Sequence, residues 1–446
     1  MQLYEFGDYQ TLPAHIELQS FKTYLKQIWE NRLWFYEQQM IEEAESEELS
    51  ATIRKQGQAI LTFDGKDIQA RNYVGFIYYQ GLLIELLPKI FQSASFSSHT
   101  MFQHLLFYLS YVPGFRFPFA RHSLDTEAEG TPLQVCIHMF AVFTEQILST
   151  QAYVAYEEEE GPQQFMRGKL LTDPYMQQQL GTGQWQKLQT RYSSLQYDNS
   201  FNRLVKYVAT QLLPVASKKS IQPLESVLFL LKEVSEQEFL LSEIDTIRLN
   251  RLYEDHQEIV NMCRFFLANE QVSPPEQEGR YFSFLVPMER VFEYFVAGFI
   301  KQHFPQIQVK TQSRSYLATW QGEQVFQIRN DIWIPATNVI MDTKYQVLNH
   351  DLEHVRKDIN QADLYQMLAY AVRRNSTQVH LLYPGRVTKL ETLTYEIENG
   401  LGNQTVYMHV HLLPVIVAET ADLNQINIRE YLEVLLKEEL GKIINQ

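Results

Sequence analysis

Residues Arg329 to Tyr345 read RNDIWIPATNVIMDTKY. Two apolar runs flank Pro335-Ala336-Thr337-Asn338, a turn-rich break, which gives the stretch the form of a β-hairpin. Asp331 stands at the head of the first strand and Asp342 near the end of the second. Lys344 follows Asp342 by two positions, and that spacing sets both on one face of a strand. Carboxylates held close together repel, so one takes up a proton or the two share a cation. A divalent metal resolves the conflict, and Mg2+ prefers a few carboxylates together with water and phosphate oxygens. A lysine beside the pair can orient water or stabilise charge on a phosphate. An acid, a spacer and Asp-x-Lys on one hairpin thus form a pattern for metal-dependent phosphodiester hydrolysis. Taken alone, Asp-x-Lys is more often a surface ion pair worth ~0–1 kcal/mol, so the neighbouring segments decide.

Upstream, MERVFEYFVAGFI puts Phe292, Phe295, Val296 and Phe299 on one helical face. Glu289 and Glu293, four apart, share a second stripe, and a helical Glu ahead of the sheet is a candidate further carboxylate. For Glu289 the solvated helix face is the better reading. Downstream, DLYQMLAYA offers Gln366 and Tyr370 at i and i+4, on one face and able to reach a phosphate or the acids.

The rest of the chain bounds these readings. At 446 residues, 45% hydrophobic and 13% aromatic, it can build two to three domains of ~150 residues with substantial cores. Two cysteines, Cys136 and Cys263, exclude a disulfide scaffold, a four-cysteine zinc site and a cysteine-ligated iron–sulfur cluster. The start of the sequence shows no basic region followed by an apolar stretch. Its longest apolar windows are broken by charge well short of the ~20 residues of a membrane span. A cytoplasmic protein with no membrane association is expected. The net charge of −15 argues against a general nucleic-acid coat. Acidic clusters such as IEEAESEE and YEEEEG lie in the first half, whereas Lys301 to Asn330 holds Lys301, Lys310, Arg314 and Arg329 against Glu323 alone.

The expected fold is α+β and multidomain. Residues 1–160 read as a small antiparallel β-sheet with helices. The sheet covers QAILTFDGKDIQARNYVGFIYYQGLLIELLPKIF, and a long helix over 17–48 carries Phe21, Leu25, Ile28, Leu33 and Phe35. The charged EEEEGPQQ run at 157–164 marks a boundary. Residues 161–272 read as mainly helical, with Asp198 or Asn199 capping SFNRLVKYVATQLL. NEQVSPPEQEGR (269–280) makes the second boundary, and 273–446 alternates helix and strand as a mixed sheet flanked by helices.

The order Met-x-x-x-Phe-Glu-x-Phe-Val, then Asp, then Asp-x-Lys-Tyr, then Asp-x-Tyr-Gln-Met-x-x-Tyr resembles the PD-(D/E)xK nuclease domain of the McrC family. McrC proteins are the cleavage subunits of McrBC modification-dependent restriction systems. VGFIYYQGLLIELLPKIF and MRGKLL followed by YDNSFNRLVKYVATQLL resemble the family's N-terminal sheet and central segment, so the likeness runs over most of the chain in family order. It implies Asp331 and Asp342 as metal carboxylates with Thr343 as a further metal ligand, Lys344 as the catalytic lysine, Glu293 as the helical acid, and Gln366 and Tyr370 as a supporting pair. Asn330 stands where the motif's Pro belongs, and Glu289 where the family tends to have Asn. The resemblance further implies Mg2+, double-stranded DNA and a hexameric, ring-forming AAA+ GTPase of the McrB type as partner, with residues 1–160 as the docking part. The chain has no Walker A motif: GPQQFMRGKL has the wrong glycine spacing and Leu where Ser or Thr would bind Mg2+.

Two other readings stay open: a non-catalytic adaptor of an AAA+ motor whose nuclease-like domain binds DNA, and a stand-alone RecB-like repair nuclease. Among the histidines, His350 and His354 in HDLEH sit on a polar loop-like stretch, and His409 and His411 in YMHVHLL read as half-buried sheet residues rather than ligands.

Overall fold

A computed structural model describes residues 1–31, 60–92, 96–112, 131–249, 253–271, 281–348, 358–386, 392–399, 404–417 and 427–444. The chain divides into two compact units, Met1–Pro132 with Asn269–Gln446, and Leu133–Ala268.

In the first unit the site hairpin belongs to a six-stranded mixed sheet. Strands Lys310–Trp320, Glu323–Ile334 and Val339–Thr343 run antiparallel in succession. Val339–Thr343 then pairs parallel with Gln378–Arg386, which pairs parallel with Gln404–Ile416, and Leu393–Asn399 closes the far edge antiparallel. A parallel step requires a crossover, and the helix Gln361–Arg374 lies within it. Asn360 caps that helix by accepting from the Ala362 amide, and Asn375 ends it in the left-handed conformation. Its Met367, Tyr370 and Ala371 pack on Ile340, Val379, Leu381, Val406, Met408 and Val410. The helix Met288–His303 buries Phe292, Phe295, Val296 and Phe299, as the apolar stripe required.

The N-terminal residues do not stand apart as expected of a domain 1–160. Their principal sheet has five strands in the order Gln2–Tyr4, Leu82–Leu87, Tyr73–Tyr79, Tyr281–Pro287, Glu270–Gln271. The first pair is parallel, so the sheet is not purely antiparallel. Strand Tyr281–Pro287, from beyond the second expected boundary, pairs with Tyr73–Tyr79 and runs directly into the helix Met288–His303. A smaller sheet joins Gln10–Thr11, Asp67–Ala70 and Leu61–Asp64. The helix Leu18–Asn31 buries Phe21, Leu25 and Ile28 against these strands. Leu33, Phe35 and the remainder of the predicted helix lie outside the described residues.

The second unit is largely helical, its longest helix being Pro132–Thr150, with one three-stranded sheet that the helical reading did not include. It contains the helices Ser200–Leu212, Lys218–Leu230 and Glu254–Asn269, but also strands Ala155–Gln163, Lys169–Leu170 and Leu188–Gln196 in one sheet. All but the last residue of the acidic run read as a boundary lies in the first of these strands. Its charge is tolerated because it is strand-paired along its length and Arg191 meets Glu160 at 2.5 Å. Asn199 is the cap, accepting from the Asn202 amide, and Asn202 Nδ2 donates to Tyr153 O and Tyr197 O. Among the described residues no helix is long and apolar enough to cross a membrane.

Gly75 shows how tightly the shared five-stranded sheet is built. It has φ of 136°, and a Cβ there would sit 1.9 Å from the Phe284 carbonyl oxygen. Gly75→Ala should therefore cost roughly 2–4 kcal/mol through strand displacement and strain. Urea denaturation with an unchanged m-value would measure it.

Candidate active site

The hairpin pairs through Ile334↔Val339, Trp333↔Ile340 and Ile332↔Met341. One more step of that register sets Asp331 across from Asp342. There Asp331 Oδ2 accepts from both the amide (2.9 Å) and the hydroxyl (2.8 Å) of Thr343. On the opposite neighbour strand Gln312, with φ of 52°, drops out of the ladder between the pairs Thr311↔Ile332 and Ser313↔Asn330. A non-glycine residue in the left-handed region at the level of Asp331 is the kind of local strain that functional sites retain.

Asp342 is 2% exposed. Lys344 Nζ lies 2.8 Å from its Oδ2 and 3.3 Å from Asp363 Oδ1, and donates to Gln366 Oε1 at 2.9 Å. Gln366 Nε2 donates to the Tyr370 hydroxyl, which donates to the Arg329 carbonyl at 2.7 Å. The i, i+4 pair is thus a polar chain running from the lysine to the backbone two residues before Asp331. Glu293 is buried on the helix Met288–His303: Arg290 Nη1 donates to its Oε2 at 3.0 Å, and its Oε1 has no hydrogen-bond partner. Glu289 is exposed, as a solvated helix face.

Burial governs the electrostatics. Burial, and then Asp331, pushes the Asp342 carboxyl up to about 7. Burial followed by Asp331 does the same to Glu293, also to about 7. Burial raises Asp331 as well, against the two hydrogen bonds from Thr343. For Lys344, burial pulls downward, but Asp342, Asp363 and Asp331 outweigh it and hold the ammonium above its ordinary value. Tyr370 is pushed up to about 12 by burial and by Asp342.

The carboxylates offer oxygen donors, which suit a hard cation such as Mg2+. Glu293 Oε1, buried and unpaired, is an acceptor that a cation or its water would satisfy. Among the described residues no three His, Cys, Asp or Glu side chains already meet at metal-binding spacing. Asp331 is turned to Thr343 and Asp342 to Lys344, so Thr343, expected as a ligand, here positions Asp331 through its amide and hydroxyl.

Three contributors escaped the sequence reading. Asp363 opens the Asp-x-Tyr-Gln run that was read only for its Gln, and Arg290 sits one turn before Glu293. Glu5 carried no signal at all. Buried at 2% exposure and pushed up to about 7 by that burial, it accepts from the Tyr345 hydroxyl at 2.7 Å and from the Lys89 amide at 3.1 Å. His409 and His411 are sheet residues as expected: His411 Nε2 meets His380 Nδ1 at 2.9 Å, and burial lowers all three histidines. His350 and His354 lie outside the described residues.

A mixed sheet that carries two acids and a lysine on one hairpin, backed by a helix with Gln366 and Tyr370, places the chain in the α+β class. The family profile of the McrBC 5-methylcytosine restriction system component matches residues 68–384, and the chain belongs to that family. Its fold is similar to that of a chain in the refined half-complex from the tetradecameric assembly of Thermococcus gammatolerans McrB AAA+ hexamers with bound McrC. The two share 15% identity over 99% of each chain, with a TM-score of 0.71. A chain of the cryo-EM structure of the Thermococcus gammatolerans McrBC complex matches at 17% identity, over 68% of this chain and 88% of that one, with a TM-score of 0.48. No curated protein matches.

Raised carboxyl pKa values fix the sign of a pH effect. Between the unfolded value near 4 and about 7, the folded state binds more protons than the unfolded state at Asp342 and Glu293, so their contribution to stability falls as pH rises through that window. Asp342→Asn should flatten the decline in melting temperature between about pH 5 and 7.5 relative to wild type in chelator. Calorimetry across that range checks it, and an unchanged slope would refute the assignment.

Proposed function

We propose that this chain is the Mg2+-dependent DNA endonuclease component of a McrBC-type restriction complex, working with a ring-forming AAA+ GTPase. The observation that carries the reading is the Lys344 ammonium 2.8 Å from buried Asp342, with Asp331 opposite, in a chain of the McrBC family. Likeness of fold to a chain from an assembly of McrB AAA+ hexamers with bound McrC supports the choice of partner. The sequence carries no Walker A motif, which supports leaving nucleotide hydrolysis to that partner.

On this reading Asp331 and Asp342 would hold the cation, with Glu293 beside them. Bound Mg2+ supplies Lewis-acid stabilisation of charge on the scissile phosphate. Lys344, kept protonated by its carboxylate neighbours, presents a fixed positive charge to the phosphate and the attacking water. Gln366 and Tyr370 hold the lysine in place. Glu293, raised to about 7, can accept the proton that water releases as it attacks phosphorus. The phosphorus–oxygen bond to the leaving strand then breaks, and that oxygen takes up a proton from solvent water.

Asp331→Ala and Asp342→Ala should each lower DNA cleavage by about 10³-fold or more in the presence of the GTPase partner, GTP and Mg2+. Both should leave stimulation of the partner's GTPase intact. Cleavage of plasmid DNA, followed on gels beside phosphate release, measures the two activities. Either variant cutting at the wild-type rate would overturn the assignment.

A further inference from the structure

The hairpin that supplies Asp331 reaches well beyond the sheet. Strands Lys310–Trp320 and Glu323–Ile334 have 11 and 12 residues, yet the next strand, Val339–Thr343, pairs only with Ile332, Trp333 and Ile334. From Tyr316 to Gln327 no residue is buried. At ~3.4 Å per residue the strand from Asp331 to Glu323 covers roughly 27 Å. Gln321 and Gly322, with φ of 50° and 89°, close the ribbon in a tight two-residue turn that keeps it narrow.

This ribbon carries what a soluble two-stranded projection ordinarily avoids. Trp320 is 62% exposed and Phe326 73%, with Leu317 also exposed. Phe326 has φ of 58°, and the ladder skips it between the pairs Tyr316↔Gln327 and Ala318↔Val325. An aromatic residue in the left-handed region is an outlier, and strain that turns a ring toward solvent is not a packing device. Arg314 lies directly across from Arg329, although like charges in opposed positions destabilise a strand pair. Lys310 lies on the same ribbon, and Glu323 is the only acid between Lys310 and Asn330, in a chain of net charge −15.

Resting on the endonuclease reading, we infer that the ribbon 310–331 is a duplex-DNA arm: Arg314 and Arg329 share backbone phosphate while Trp320, Phe326 and Leu317 pack on the groove. An anion between the two arginines removes their mutual repulsion. Two strands ~4.8 Å apart fit a major groove ~12 Å wide. At ~3.4 Å of rise per base pair the arm tracks about eight base pairs. Because one strand holds both the arm and Asp331, DNA gripped by the arm lies in fixed register with the carboxylates. A second copy of this chain fits less well, since ribbon against ribbon brings arginines to arginines and offers them no anion.

The test is fluorescence anisotropy of the full chain with a labelled duplex of about 30 base pairs, longer than the span of the arm, without divalent cation. Arg314→Ala should weaken binding about tenfold at low salt and reduce the log–log salt slope by about 1, and Arg314→Lys should restore most of both. Trp320→Ser with Phe326→Ser should weaken binding about tenfold while leaving the salt slope unchanged. Thermal melts report whether the variants stay folded, and sedimentation velocity reports their mass. Wild-type-like binding in the folded variants, or no measurable duplex binding by wild type, overturns the arm. So does a change in oligomeric state with duplex binding unaffected, which would make the ribbon an interface between copies. Wild type that binds through the ribbon but never cuts with partner, GTP and Mg2+ sinks the endonuclease reading and keeps the arm. Ribbon variants that bind and cut like wild type do the reverse.

Discussion

Everything at the hairpin depends on how a buried carboxylate is kept. Asp342 is almost without solvent, faces Asp331 across the strand pair, and has Lys344 as its ionic partner. Desolvating a carboxylate costs several kcal/mol unless charge and hydrogen bonds offset it. Lys344 provides the offset because it is itself fixed, by Asp363 on one side and Gln366 on another. Deleting any one member leaves the others buried and imperfectly paired, so the hairpin, the lysine and the helix Gln361–Arg374 form one electrostatic unit rather than three neighbours. A hairpin selected for stability alone would carry apolar side chains at these positions. That local cost is the physical ground for reading the cluster as functional.

The same unit is tied to the beginning of the chain. Tyr281–Pro287 completes a sheet begun by Gln2–Tyr4, Leu82–Leu87 and Tyr73–Tyr79, then passes without a break into the helix that carries Glu293. Phe107 and Tyr108 pack on Phe295 of that helix, and the Tyr108 hydroxyl donates to Val415 O at the end of a central sheet strand. Tyr345, the residue after the lysine, is held by Glu5, and the Lys89 ammonium sits 4.7 Å over its ring. A fragment cut at the expected boundary near 273 would lose the strands that seat Tyr281–Pro287 and the acid that holds Tyr345. The site is a product of both ends of the sequence.

The sequence was most readable where local periodicity and final contacts coincide. The hairpin showed itself by apolar runs on either side of a turn, and the Asp342–Lys344 face by its two-residue spacing. Gln366 and Tyr370 followed from one helical turn, and they do touch. What stayed hidden was long-range. Glu5 meets Tyr345 across 340 residues, with no periodicity to connect them. Tyr281–Pro287 is a short apolar run ahead of a helix, indistinguishable from it by pattern, and only its partner strand makes it a strand. The acidic run near 157–160 resembled a solvated linker because charge is a statement about solvent contact. An exposed strand with arginine across from it satisfies that statement equally well.

The environment also divides the chemical roles that the sequence could only group together. Lysine is a credible base when burial strips its proton, but Lys344 is surrounded by acids that hold the proton on. Its contribution on the endonuclease reading is therefore positional and electrostatic. The groups poised to exchange protons near neutrality are carboxyls: Glu293 and Asp342, each lifted to about 7 by burial and by the charge of Asp331. Asp342 is already committed to the lysine, whereas Glu293 keeps one oxygen buried and unpaired. Of the two, Glu293 is the one free to receive a proton without dismantling the lysine's support. On the endonuclease reading, proton acceptance therefore falls to the acid on the preceding helix.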